Sequence, residues 1–246
     1  MELAGSTCLV TGATGGIGRA AAQALAARGA NLVLTGRNGP ALADVASAAG
    51  GRAIEADLAD HAAIAELVEE VGPVDVLVNV AGAGHLGPLE AMPPDRLAEL
   101  VAVNVTAPLA LTAAVLPGML ERDRGHVVFV GSVAGRVGRR REAVYAATKA
   151  AISVFADSLR AELRGTGVGV LLVTPGPVST TFFEHRGAPY DRTWPRPVTA
   201  DRVAAALADG IEAGAAEVTI PRWLSLPVRV RAAAPGVFRV LAARFD

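Results

Sequence analysis

The 246-residue sequence predicts an α/β fold, a doubly wound parallel sheet with helices on both faces. Three observations lead there. Runs of strand length, such as Val168–Val173, are apolar throughout rather than alternating, the pattern of strands buried on both sides. Helical patterns long enough to carry a crossover separate those runs. The first strand-to-helix connection is a glycine-rich turn, Thr11 to Gly18.

The elements follow in order. Cys8-Leu9-Val10 is the first strand, and Gly16–Arg28 an alanine-rich helix stopped by Gly29. Asn31–Thr35, Arg52–Glu55 and Val74–Val78 are the next strands, with helices at Gly39–Ala49 and His61–Val71. Asp95 to about Leu120 reads as a long helix, bent or ended near Pro117, which has no backbone N–H to give. His126–Val130 is a fifth strand, Tyr145–Arg164 a long helix and Val168–Val173 a sixth strand. Gly176–Pro197 is rich in Pro, Gly and Arg and reads as a loop over the carboxyl ends of the strands. Thr199–Ala213 is helical with Thr199 as N-cap, and Glu217–Ile220 is a last strand. No repeat or linker marks a second domain. The expectation is therefore one domain over residues 1–246, with a substrate loop at about 181–198 and a helical tail at about 222–246.

Composition narrows the function classes. Hydrophobic residues are 52% and charged residues 19%, enough for a large core and too apolar for disorder. A net charge of -1 argues against a nucleic-acid partner. The single cysteine, Cys8, lies in an apolar run and reads as core packing in a reducing compartment. The start lacks a basic signal segment, so a cytoplasmic location is expected. Val101 to Leu120 carries no charge and approaches the ~20 residues of a membrane span. Asn104, Thr106, Pro108, Thr112, Pro117 and Gly118 within it point instead to a helix buried in protein. Leu224–Phe245, with Arg229, Arg231, Arg239 and Arg244, reads as an amphipathic tail packed on the chain itself or on a second subunit, with a membrane surface as the alternative. The four histidines show no metal-ligand spacing, so no metal is expected.

The chemistry concentrates in Tyr145 and Lys149. Four residues apart, they share one face of a helix, so an ammonium sits near a phenol. A free tyrosine has a pKa near ~10, and a neighbouring cation should lower it. Ser132, thirteen residues upstream, could hold a substrate oxygen alongside. Proton exchange with an alcohol or carbonyl is what such a trio offers. The glycines of the Thr11–Gly18 turn let backbone approach a pyrophosphate, and the helix behind it favours negative charge. The second strand ends Leu34-Thr35-Gly36-Arg37 with no acid for a ribose 2′-hydroxyl, whereas Arg37 suits a 2′-phosphate. NADP(H) is therefore preferred, with NAD(H) as the alternative. Asp57-Leu58 after the third strand could meet the adenine, or Asp57 could cap a helix.

Taken together these residues resemble the short-chain dehydrogenase/reductase family, whose fold is of the Rossmann type. Thr11–Gly18 matches its Thr-Gly-x-x-x-Gly-x-Gly turn; Asn79-Val80-Ala81-Gly82 is similar to its Asn-Asn-Ala-Gly motif; and Pro175-Gly176-Pro177-Val178-Ser179-Thr180 resembles its Pro-Gly segment. Asn104, Ser132, Tyr145 and Lys149 match its catalytic set. The resemblance implies an NADP(H)-dependent oxidoreductase acting on a small ketone or secondary alcohol. Tyr145 would be the acid or base, Lys149 would tune it and hold the nicotinamide ribose, Ser132 would orient the substrate oxygen, and Asn104 would hold a water. Cofactor contacts are implied for Gly12, Thr14, Gly15, Gly16, Ile17, Gly18, Arg37, Asp57, Leu58, Asn79, Ala81, Gly82, Pro175, Gly176, Val178 and Thr180, besides Tyr145 and Lys149. A homodimer or homotetramer is also implied. Two departures stand out. Val80 replaces an asparagine and loses a polar contact, and Gly15 stands where NADP-dependent members often carry a basic residue. The alternative is an idle nucleotide-binding or scaffold protein of the same fold. Arg139-Arg140-Arg141 is either a solvated charge run or a greeting for an anionic substrate.

Overall fold

The computed structural model describes residues 1–191 and 193–242. Its centre is a seven-stranded, wholly parallel sheet in the order β3-β2-β1-β4-β5-β6-β9. The strands are β1 Thr7–Thr11, β2 Asn31–Gly36, β3 Arg52–Glu55, β4 Val76–Asn79, β5 Gly125–Val130, β6 Val168–Pro175 and β9 Glu217–Ile220. The helices between them are α1 Gly16–Ala26, α2 Gly39–Ala49, α3 His61–Val71, α4 Pro94–Val101, α5 Ala107–Glu121, α6 Val133–Val137, α7 Ala143–Glu162, α8 Phe182–His185 and α9 Ala200–Glu212. Two short strands, β7 Val178–Ser179 and β8 Val198–Thr199, pair beside the main sheet. The order reverses between β1 and β4, which opens a crevice at their carboxyl ends.

The strands are apolar throughout because each face carries its own core. Cys8 and Val10 of β1, Val76 and Val78 of β4, and Val128 and Val130 of β5 face the side that holds Leu25 of α1 and Leu207 and Ile211 of α9. The residues between them, Leu9, Leu77, Val127 and Phe129, face Leu111 and Met119 of α5 and Ile152 of α7. Cys8 is core packing as expected, and burial pushes its thiol up to about 12. Helix ends follow local chemistry. Asn38, Asp60 and Thr199 cap α2, α3 and α9 through their side chains, and Gly50 ends α2 in the left-handed conformation.

The long helix differs from expectation. It runs past Pro117 to Glu121, because Pro117 and Ala113, whose carbonyl loses its partner, both face solvent. The irregularity lies earlier, where Ala102–Thr106 forms a π-turn and the Ala107 N–H donates to the Ala102 carbonyl. Pro108 has no N–H to offer the carbonyl of Asn104, which an uninterrupted α-helix would require. By length and composition Pro94–Glu121 could cross a membrane. Here one face packs on the sheet while Val101 and Leu120 stay open.

The segment after β6 holds more structure than a loop. β7, α8 and β8 fold it back across the strand ends. The tail forms α10 Ser225–Ala233 and α11 Pro235–Ala242, broken at Ala234. It lies against the chain itself at α6, where Arg231 donates to the carbonyl of Arg136. Leu226, Val237, Val240 and Leu241 remain exposed. Arg244 and Phe245 lie outside the described residues.

Candidate active site

Thr11 is the joint between the glycine turn and the centre of the sheet. Its hydroxyl oxygen accepts the N–H groups of Val80 and Ala81, each at 3.1 Å, and so fixes the chain leaving β4 beside the turn. Gly12 has φ +62°, and a Cβ there would stand 2.7 Å from the Ala81 Cα. A Cβ on Gly18 would run into the Gly12 carbonyl, and one on Gly16 into the Thr180 methyl. Only glycine lets these three segments close together. The result is a cleft of about 510 Å³ over the switch between β1 and β4.

One wall of the cleft forms where α6 meets α7. Ser132 is the N-cap of α6, and its oxygen accepts the Ala134 N–H at 3.1 Å. That leaves the hydroxyl proton for another partner, and Ser132 hydrogen-bonds Tyr145. Gly135 lets α6 lie directly on α7, since a Cβ there would be 2.5 Å from the Lys149 carbonyl carbon. Lys149 is buried, and its Nζ donates to the Val130 carbonyl at 2.9 Å. Ser132, Tyr145 and Lys149 all border the cleft.

Electrostatics depart from expectation. Burial pushes the Tyr145 phenol up to about 12, against the smaller downward pull of its hydrogen bond with Ser132. Burial brings the Lys149 ammonium down to about 8. The sequence predicts that Lys149 lowers Tyr145. In this geometry desolvation outweighs any help from the lysine, whose ammonium is engaged by Val130.

Of the residues singled out from sequence, Gly12, Thr14, Gly15, Gly16, Ile17, Gly18, Arg37, Asp57, Leu58, Ala81, Gly82, Pro175, Gly176, Val178 and Thr180 also border the cleft. Two are not brought to its surface. Asn79 is buried at the end of β4, with both side-chain polar atoms lacking a protein partner, and the adjacent Val80 offers none. Asn104 is buried behind the wall. Its amide accepts from the Ala83 N–H and donates to the Ala83 carbonyl, both at 2.8 Å, and donates to Thr148 Oγ1 at 3.0 Å. Asp57 accepts from the Ala59 N–H, while the cap of α3 is Asp60. Arg37 is 64% exposed and stands 3.7 Å from Glu99.

The apolar pair Phe182-Phe183 of the substrate loop, which the sequence offers as part of an apolar pocket or of a lid, borders the cleft, while Glu142 and Arg186 are bordering residues that the sequence does not point to. The rings of Tyr145 and Phe182 lie 5.5 Å apart. Arg139 borders the cleft, whereas Arg140 and Arg141 face solvent. Of the histidines His185 reaches the cleft, and no metal-ligating cluster occurs among the described residues.

Residues 6–191 match the family model described as short chain dehydrogenase, so the chain belongs to that family. It is an NAD(P)-dependent oxidoreductase. An uncharacterized oxidoreductase of Myxococcus xanthus is 37% identical, covering 99% of this chain and 98% of that protein. A short chain dehydrogenase of Pseudocercospora fijiensis is 43% identical over 77% of this chain, which spans only 64% of that longer protein. Among solved structures, a short-chain dehydrogenase from Sphingobium yanoikuyae in complex with NADPH superposes with a TM-score of 0.85 at 28% identity, covering 97% of this chain and 95% of that one. A family member from Burkholderia phymatum in complex with NAD gives a TM-score of 0.85 at 26% identity over 94% of each chain.

Proposed function

We propose that this protein reduces a ketone to a secondary alcohol, with NADP(H) as the preferred nicotinamide cofactor and Tyr145 as the proton donor. The observation that carries the reading is the position of Ser132, Tyr145 and Lys149 on one wall of a cleft whose floor is the glycine turn. The cradle fits a dinucleotide: Gly12, Gly16 and Gly18 leave close-packed backbone where side chains would intrude, and the start of α1 favours a pyrophosphate. Gly12, Thr14, Gly15, Gly16, Ile17 and Gly18 would hold the phosphates, Asp57 and Leu58 the adenine end, and Ala81, Gly82, Pro175, Gly176, Val178 and Thr180 the nicotinamide end. Arg37 would meet a 2′-phosphate after giving up Glu99.

A bound reduced nicotinamide supplies the hydride for the carbonyl carbon. The Ser132 hydroxyl donates to the substrate oxygen and draws it to Tyr145. The phenol, kept protonated by burial, gives its proton to that oxygen as negative charge develops there. Lys149 is placed to stabilise the tyrosinate left behind. Asn104 serves in two ways: its side-chain amide secures the Ala83 segment, and its backbone carbonyl, without an α-helical donor from Pro108, is where a relay water would sit. A protonated Tyr145 is the form that reduction starts from. The chain works as a homodimer or homotetramer in the cytoplasm.

Tyr145→Phe tests the reading. Turnover of a ketone panel should fall by ~10²–10⁴-fold while NADPH still binds, as read by nicotinamide fluorescence. NADPH binding with no turnover in the parent protein would favour an idle nucleotide-binding fold and end the proposal.

A further inference from the structure

At its substrate end the cleft is bordered by an ion pair that the proton transfer above does not use. Glu142 stands three residues before Tyr145, at the cap of α7, and Arg186 follows α8 in the segment that covers the cleft. Both side chains border the cleft, yet they are only 4% and 5% exposed. Arg186 Nη1 donates to Glu142 Oε1, and its Nε donates to the Ala188 carbonyl at 3.4 Å. The face of the guanidinium lies 4.7 Å from the centre of the Phe183 ring. The backbone around it is pinned as well. The Leu86 N–H donates to the Arg186 carbonyl at 2.9 Å, and Gly84 makes room for Phe182, since a Cβ there would stand 2.6 Å from its Cζ. Arginine is over-represented wherever a carboxylate is recognised through paired N–H donors. Here Glu142 already holds that place.

We infer that Glu142 and Arg186 are specificity-determining residues, and that they restrict the site to carbonyl compounds whose flank against Phe182 and Phe183 is uncharged and apolar. The inference rests on the oxidoreductase reading above. A carboxylate arriving at this wall has two options. It can stay beside Glu142, with like charges in a dry place, or it can take Arg186 and leave Glu142 buried without a partner. Both are unfavourable, so the pair works against anionic substrates. An ester, alkyl or aryl flank instead meets two aromatic rings and sheds water from apolar surface. Of the other cations, Lys149 lies deeper with its Nζ on Val130, and Arg139 is half-buried and itself engaged.

The test uses ketones in ester and acid pairs: ethyl acetoacetate against acetoacetate, and methyl 4-acetylbenzoate against 4-acetylbenzoate, each reduced by the full chain with NADPH. The parent should favour each ester by at least about tenfold in kcat/KM. Glu142→Gln should narrow that preference by about tenfold, because the buried like charge that faces the acid is gone. Arg186→Met should keep or widen it, because Glu142 then stands alone. A segment that had merely loosened would move both variants the same way. Equal or better use of the acids by the parent, or ratios that move together in the two variants, would overturn the inference and leave the oxidoreductase reading intact. If Glu142→Gln does not fold, the parent's ratios and Arg186→Met decide. A parent that binds NADPH and reduces none of the four ketones removes the oxidoreductase reading, and this inference with it.

Discussion

The proposed reduction asks Lys149 to be a cation in a place that disfavours one. Burial brings its ammonium down to about 8, so the charge that should steady a departing proton is itself lost within the working range of an assay. The sign is direct: below about 8 Lys149 is charged and reduction proceeds, and above it the neutral amine cannot stabilise a tyrosinate. Reductive kcat/KM should therefore be flat from pH 6 to 7.5 and approach a tenfold fall per unit above about 8. Lys149→Arg should abolish the fall, and a parent profile flat to pH 10 would exclude the role. His126 makes a second statement at this scale. It is 3% exposed with Nε2 lacking a partner, and burial, with a smaller effect of the N-terminal charge, lowers it to about 4. In the unfolded chain it takes up a proton below its ordinary 6.5, while the folded chain resists until about 4. Stability should thus decline as pH falls through that window, by up to about 3 kcal/mol. His126→Gln should lack that part of the loss in urea titrations at pH 7 and pH 5. The trio of Ser132, Tyr145 and Lys149 was legible from sequence because four-residue helical spacing and a strand end fix where such side chains point. Their ionisation was not, because desolvation depends on everything packed around the pair, including the Val130 carbonyl that engages the lysine.

Among elements, the legible ones are those whose signals are local. Asn38 and Asp60 cap α2 and α3, Gly50 ends α2, and the sequence boundaries of those helices agree with the structure. Pro117 misled because the rule for proline counts a lost donor but not whether the orphaned carbonyl is wet. The π-turn at Ala102–Thr106 leaves no periodicity to read; only Pro108, two residues beyond its end, hints at it. The Glu142–Arg186 pair bridges elements 44 residues apart, and nothing in either local sequence announces the other. Arg37, where β2 hands over to α2, was legible as a choice of cofactor, but its contact with Glu99 of α4 was not. That contact is exposed enough to be worth little, so a 2′-phosphate should displace it. Arg37→Ala should raise KM for NADPH about tenfold or more and leave KM for NADH within about twofold, since a charged hydrogen bond contributes roughly 1.5–3 kcal/mol. Equal effects on the two cofactors would remove Arg37 from the 2′-phosphate site.

Across the whole molecule, one face of the helical layer carries exposed apolar side chains that the described residues leave uncovered. Val101 at the end of α4, Leu120 near the end of α5 and Val154 on α7 are exposed, Val154 at 66%, while the opposite sides of α5 and α7 fill the core with Leu111, Met119, Ile152 and Ala156. The uncharged run from Val101 to Leu120 was expected to be buried in protein, and within this chain it is buried on one side only. A second copy would complete the burial that the sequence pattern implies, and the same surface on both partners would give the self-complementary contact of a two-fold dimer. A stable interface removes on the order of 1,600 Å² from water, which two adjacent long helices can supply. The prediction is specific to this face. The parent should elute as a dimer or tetramer in size exclusion with light scattering. Val154→Glu should shift it to the next smaller species. Because Val154 lies on the surface of the single chain, the substitution should change the stability of the fold itself by no more than about 0.5 kcal/mol. A monomeric parent, or a Val154→Glu protein with unchanged mass, would mean that this face is not where copies meet.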